Sequence, residues 1–313
     1  MAKSIRRIVE EKSVHIPASV PQALRKEYEK NYLRVTASSG RLFLFAADQK
    51  LEHLNHDFVG KGIAKDAANP EHLFEIASKG RIGAFATQLG LISKYGSDYP
   101  DVSYIVKMNG KTNVVPTSDR DPVSRLLCTI DDVLEFKKNS GLTIAGIGYT
   151  LYVGSIYEAD MLAEAAQVIY QAQRHGLVTV LWCYPRGKAV KNELHENMIA
   201  GAAGVGAALG ADFVKVNAPD AANGFESAQR LVQATHAAGR TKVICAGGPS
   251  KDPKAFLEDL YHQIHTGGTN GIAIGRNIFQ KPLKEALNFC KAVAKIVIDD
   301  GAVEKAKALL GEK

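Results

Sequence analysis

The sequence predicts an α/β chain folded as a (β/α)8 TIM barrel with an N-terminal extension. Three observations carry this reading. Eight short apolar runs recur between residues 42 and 275 of the 313. They are continuous in polarity rather than alternating, as strands buried on both faces tend to be. Helical stretches separate most of them, and the GxGxxG that would favour an open dinucleotide-binding sheet is missing after an early strand. The domain division that follows is 1–40 for a basic extension and 41–313 for one barrel.

The predicted strands are LFLFAA (42–47), IGAFAT (82–87), VSYIVKM (102–108), LTIAGIG (142–148), LVTVLWCY (177–184), ADFVKVN (211–217), TKVICAG (241–247) and NGIAIG (270–275). Among the intervening helices, 158–176 ends in Gly176, a C-cap candidate. Segment 194–210 is rich in Ala and Gly, which allows close packing on a sheet. Segment 227–239 ends in Gly239. Segment 252–268 opens with Asp252-Pro253, an N-cap followed by Pro at the first helical position. The segments 48–81 and 109–141 are long, as βα loops that build barrel active sites often are.

Composition narrows the function classes. Apolar residues make up 46 % and charged residues 23 %, a globular profile. The apolar runs are far shorter than the ~20 residues of a membrane helix, and the start of the chain carries no apolar signal region. The four cysteines are widely spaced, which fits a reducing cytoplasm and neither a disulfide framework nor a zinc knuckle. The net charge is +6, and residues 1–41, with nine Lys/Arg and four Glu, supply +5 of it. No nucleic-acid signature accompanies that charge. A basic arm packed on the body or on a neighbouring subunit is expected.

In a barrel, chemistry sits at the C-terminal strand ends. Lys215 lies inside the apolar sixth strand, where burial lowers an amine's pKa and frees it as a nucleophile toward carbonyls. Phe213, Lys215 and Asn217 share one strand face, and Asp212, Val214 and Val216 the other. Parity does not say which face is inward, so a lysine snorkelling outward is the other reading. Lys107, in the third strand, competes for the same role or for holding a phosphate or carboxylate. Trp182 and Tyr184 share one face of the fifth strand, with Cys183 on the other. Gly247 and Gly248 after the seventh strand, with Gly275 and Arg276 after the eighth, form an anion cradle: glycines let backbone N–H groups approach a phosphate and Arg adds a fork of donors. His53 and His56, flanked by Glu52 and Asp57, lack the spacing of a zinc site, so no metal and no cofactor are expected. Cys183 and Cys245 read as small core residues.

Taken together, Asp48-x-x-x-Glu52-His53, Trp182-x-Tyr184-Pro-Arg186-Gly187, Ala211-Asp212-x-Val-Lys215, Gly247-Gly248-Pro249 and Gly275-Arg276-Asn277 resemble the archaeal-type class I fructose-1,6-bisphosphate aldolases, the DhnA-like family, over about residues 41–290. The resemblance implies a lyase of glycolysis and gluconeogenesis that cleaves fructose 1,6-bisphosphate to dihydroxyacetone phosphate and glyceraldehyde 3-phosphate. Lys215 would form the Schiff base, Tyr184 would act as general acid/base, Asp48 would assist and Trp182 would line the pocket. The glycine loops would hold one phosphate and Arg186 the other. The implied assembly is a homo-oligomer, often a decamer. Two departures stand out: Gln49-Lys50 follows Asp48 where His-Gly is frequent, and Ala246 precedes the glycine pair where serine is frequent. Sister activities of the family (a transaldolase-like condensation or a phosphosugar thiolase) and a non-catalytic sugar phosphate-binding barrel are the alternatives.

Overall fold

A computed structural model of the chain describes residues 14–311. Ten strands are present among them: β1 (Leu42–Ala46), β2 (Ala84–Gln88), β3 (Tyr104–Lys107), β4 (Asn109–Gly110), β5 (Arg125–Leu126), β6 (Ile144–Val153), β7 (Val178–Pro185), β8 (Phe213–Val216), β9 (Lys242–Ala246) and β10 (Gly271–Ile274). Eight of them close into a parallel barrel in the order β1-β10-β9-β8-β7-β6-β3-β2, while β4 and β5 form a separate antiparallel ribbon. Each predicted strand is a barrel strand.

β6 differs most from expectation, running past Gly148 to Val153 and pairing with β7 from Gly146↔Val178 to Val153↔Pro185. Its glycines look like a strand end in sequence. In the fold they make room: a side chain on Gly146 would overlap the Val178 carbonyl, and one on Gly148 would overlap the Trp182 ring.

Two apolar clusters follow from strand parity. Leu42, Leu44, Ala46, Ala84, Ala86, Ile105, Val178, Val180, Trp182, Phe213 and Ile244 point into the barrel. Leu181, Cys183, Val214, Val216 and Cys245 face the helices. The Ala/Gly-rich helix Glu196–Ala208 approaches so closely that a side chain on Gly206 would meet Val214 Cγ2 at 2.6 Å. Asp252 caps the helix Pro253–His265 through the N–H groups of Lys254 and Ala255, and Gly176 takes the left-handed conformation after the helix Glu158–Arg174.

The helix Arg25–Val35 packs under the barrel. Val35 joins the inner cluster, Tyr32 stacks on Phe213 with centroids 5.6 Å apart, and the Tyr28 hydroxyl donates to Asp212 at 2.6 Å. This part of the basic segment therefore lies on the body; residues 1–13 lie outside the described residues. Among the described residues no helix is long and apolar enough to cross a membrane.

Candidate active site

Parity resolves at β8. Phe213 is in the inner cluster, so Lys215, two residues on, also points inward. It is only 5 % exposed. Its Nζ lies 5.3 Å from the Trp182 ring centroid and 5.9 Å from that of Tyr184. Burial lowers its pKa to about 8, with the positive charges of Lys107 and Arg276 acting in the same direction and Asp48 and Glu52 opposing them. Among the described residues no carboxylate lies within 4 Å of its Nζ, and with a pKa of about 8 the amine is free base to roughly a tenth near pH 7, far more than an ordinary lysine.

Lys107 points into the same chamber from β3 and is fully buried. Its Nζ is 5.4 Å from the Trp182 ring. Unlike Lys215 it is surrounded by acceptors: Asp48 Oδ2 at 3.7 Å, Glu52 Oε1 at 3.5 Å and the Asn109 carbonyl at 3.1 Å. The Asp48-x-x-x-Glu52 spacing explains the first two. Asp48 begins the one-turn helix Gln49–Glu52, and residues four apart share a helix face. The Asn109 side chain is held in turn by Thr150, accepting from its N–H at 2.7 Å and donating to its carbonyl at 2.8 Å. Burial, reinforced by the Asp48 charge, raises the Glu52 pKa, and the Lys107 ammonium works against that rise.

Tyr184 stands at the C-terminal end of β7, half-buried. Burial first, then the charges of Asp48 and Glu52, push its phenol well above its ordinary pKa, so it holds its proton at neutral pH. Tyr152 lies opposite it in the β6–β7 register and is raised for the same leading reason. Among the described residues Trp182 Nε1 and Thr150 Oγ1 are buried here without a hydrogen-bond partner, as is Glu52 Oε1. Buried polar atoms are normally satisfied, so Trp182 Nε1 and Thr150 Oγ1 are donors free to meet a bound molecule.

The glycine loops come together at the mouth. Gly247 N–H donates to the Ala273 carbonyl at 2.8 Å, and Gly248 adopts a left-handed φ of +67°. The Asn277 amide ties the loops by donating to the Gly247 and Pro249 carbonyls at 3.0 Å each. A side chain on Gly275 would meet the Ala46 carbonyl and the Gln49 amide at 2.6 Å. Arg276 Nε lies 3.7 Å from Asp57, whose carboxylate is also 2.5 Å from His53 Nδ1. His53 and Asp57 thus brace Arg276, and His56 is exposed.

Arg186 sits at the other side of the mouth, its guanidinium carbon 5.6 Å from the Tyr184 ring. Lys111 lies 5.7 Å from the Tyr152 ring. Burial lowers the Lys111 pKa; the Glu52 charge opposes this, and the neighbouring Arg186 and Arg120 charges add to it. Asp121 holds these parts together, accepting from Lys188 N–H at 3.2 Å and Ile156 N–H at 3.4 Å. Sequence reasoning named Arg186 but neither Lys111 nor Arg120. Both lie in the long segment after the third strand, where two unassigned cations beside a barrel mouth were the available signal. Glu52 was visible in a motif, but as a possible metal neighbour rather than a partner of Lys107.

Comparison with known proteins agrees with this geometry. A profile for DeoC/LacD family aldolases matches residues 42–281. A Methanocaldococcus jannaschii fructose-bisphosphate aldolase/6-deoxy-5-ketofructose 1-phosphate synthase is 54 % identical over 298 residues, covering 95 % of this chain and 94 % of that protein. A class 1 fructose-bisphosphate aldolase of Thermoproteus tenax is 32 % identical over 267 residues, covering 85 % and 93 %. The solved structure of a fructose-bisphosphate aldolase from Slackia heliotrinireducens superimposes with a TM-score of 0.93 at 51 % identity, covering 96 % of this chain and 95 % of that one. An archaeal fructose-1,6-bisphosphate aldolase, solved with its catalytic Lys covalently bound to the carbinolamine intermediate, superimposes with a TM-score of 0.73 at 30 % identity, covering 86 % and 98 %. A closed parallel barrel with an inward lysine, matched by that family profile over most of its length, makes this chain a member of the DeoC/LacD family of aldolases.

Proposed function

We propose that the chain cleaves fructose 1,6-bisphosphate reversibly to dihydroxyacetone phosphate and glyceraldehyde 3-phosphate through a Schiff base on Lys215. The observation that carries this is the division of labour between two buried amines. Among the described residues Lys107 has two carboxylates within ion-pair reach, while Lys215 has none and a pKa lowered to about 8.

The neutral Lys215 amine adds to the C2 ketone, and the carbinolamine loses water to give an iminium ion. That loss needs a proton, which the Tyr184 phenol holds at neutral pH. The iminium then draws the C3–C4 electron pair as the C4 hydroxyl proton leaves, which releases the aldehyde and leaves an enamine. A cation newly formed on Lys215 beside the Tyr184 ring lowers the phenol's pKa, so the group that gave a proton in dehydration can take one in cleavage. Protonation of the enamine at C3 and hydrolysis free the ketone phosphate and the amine. Asp48 and Glu52 balance Lys107 and keep negative charge near the iminium. Gly248, Gly275 and Arg276 serve the C1 phosphate; Gly247, whose N–H is taken up by the Ala273 carbonyl, contributes only by allowing close approach. Arg186, with Lys111 and Arg120, serves the far phosphate.

The double activity in the name of the M. jannaschii relative favours a second reading, given 54 % identity over 95 % of this chain. A 6-deoxy-5-ketofructose 1-phosphate product keeps the first phosphate and lacks the far one. The same enamine, adding to an unphosphorylated aldehyde, would serve it.

The test is release of both triose phosphates from fructose 1,6-bisphosphate in the presence of EDTA. Turnover by the wild type and none by Lys215→Met is expected. No cleavage by the wild type, or cleavage by Lys215→Met at the wild-type rate, overturns the reading.

A further inference from the structure

The far-phosphate side of the mouth contains a carboxylate that the proposed reaction does not use. Glu193 Oε2 lies 2.7 Å from Arg186 Nε, and the hydrogen bond to Glu193 raises the Arg186 pKa against the effect of its burial. A carboxylate held this way occupies the Nε donor and sets its charge against that of a phosphate, since both anions seek the same guanidinium. Arg186 is anchored from the backbone, donating its N–H to the Val153 carbonyl at 2.8 Å. Glu193 stands on the loop before the helix Glu196–Ala208, and its side chain is 40 % exposed. It can swing into solvent without opening the core. Beside the pair lies a cavity of about 430 Å³, lined by Asn113, Thr117, Arg186, Gly187, Lys191 and Glu193, with room for a phosphoryl group.

We propose that Glu193 is a specificity-determining residue: it stands in for the far phosphate on Arg186, so a bisphosphate sugar must displace it while a monophosphate sugar leaves the pair intact. This rests on the reading of Arg186, Lys111 and Arg120 as the far-phosphate site. Glu193 acts on the sugar through Arg186 and through its own negative charge, which opposes a second dianion. With Glu193 in place, the mouth grades sugar phosphates by their far end and stays open to substrates that lack charge there. Specificity arises from such a difference between two affinities.

The experiment measures calorimetric affinities for fructose 1,6-bisphosphate and fructose 1-phosphate in Lys215→Met and in Lys215→Met carrying Glu193→Gln or, separately, Glu193→Ala. The bisphosphate-to-monophosphate affinity ratio is expected to rise about fivefold on either Glu193 change, a modest figure because the pair is partly solvated. A residue that merely shaped the loop would move both affinities together. A ratio that changes by less than about twofold, or falls, overturns the proposal. So does failure of every form to bind the bisphosphate. Wild-type cleavage with an unmoved ratio sinks Glu193 alone. A moved ratio without wild-type cleavage sinks the aldolase activity and leaves the Glu193 assignment standing.

Discussion

Lys107 and Lys215 lie almost equally far from one indole ring, with Nζ atoms 5.4 and 5.3 Å from the Trp182 centroid, yet among the described residues only Lys107 has carboxylates in ion-pair reach. Two amines of the same type thus stand in different electrostatic surroundings. Burial first, and the Lys107 charge after it, lower the Lys215 pKa.

That arrangement predicts opposite pH shifts. In the proposed mechanism Lys215 attacks as the free amine, so kcat/KM should rise with pH and level off above about 8. Asp48 raises the Lys215 pKa, so Asp48→Asn should move the acidic limb to lower pH. Lys107 lowers it, so Lys107→Met should move the limb to higher pH. The second variant also strands two carboxylates in the chamber and should cost about 3–5 kcal/mol of stability. Profiles of kcat/KM against pH check the pair; shifts in the same direction would refute the coupling.

Tyr184→Phe removes the phenolic proton while keeping the ring. A lost general acid/base typically costs about 10²- to 10⁴-fold in rate. The loss should fall on kcat, with KM little changed, in a steady-state cleavage assay. A kcat close to wild type would move the proton-transfer role elsewhere, with Glu52 the nearest candidate by its raised pKa.

Gly148 is a third test, because its missing side chain is the space that Trp182 occupies. Gly148→Ala should cost about 1–3 kcal/mol, the usual range for overpacking. Trp182 is the single tryptophan of the chain, so urea unfolding followed by intrinsic fluorescence reads both the lost stability and the disturbed indole. Unchanged stability and emission would contradict the packing.

These residues also mark how far the sequence could be read. The barrel strands were legible because burial on both faces leaves continuous apolar runs. Lys215 was legible as an oddity within one, but its direction was not. Parity separates two faces without naming the inner one, and that needed Phe213 packed against Tyr32 below it. Gly148 read as a strand end because a glycine's reason lies on the neighbouring strand. Glu52 and Lys111 gain meaning only when β1, β3 and β6 converge on one chamber. Glycine-flanked strand ends and Asp-x-x-x-Glu were visible locally; the pairing of Asp48 and Glu52 with Lys107 was not.

The central claim is that Lys215, and not Lys107, is the imine-forming amine. Borohydride reduction of the protein with dihydroxyacetone phosphate, followed by peptide mass spectrometry, tests it directly. A reduced adduct on the peptide carrying Lys215, absent from Lys215→Met, is the predicted result. An adduct on Lys107, or no adduct on either lysine, would contradict it.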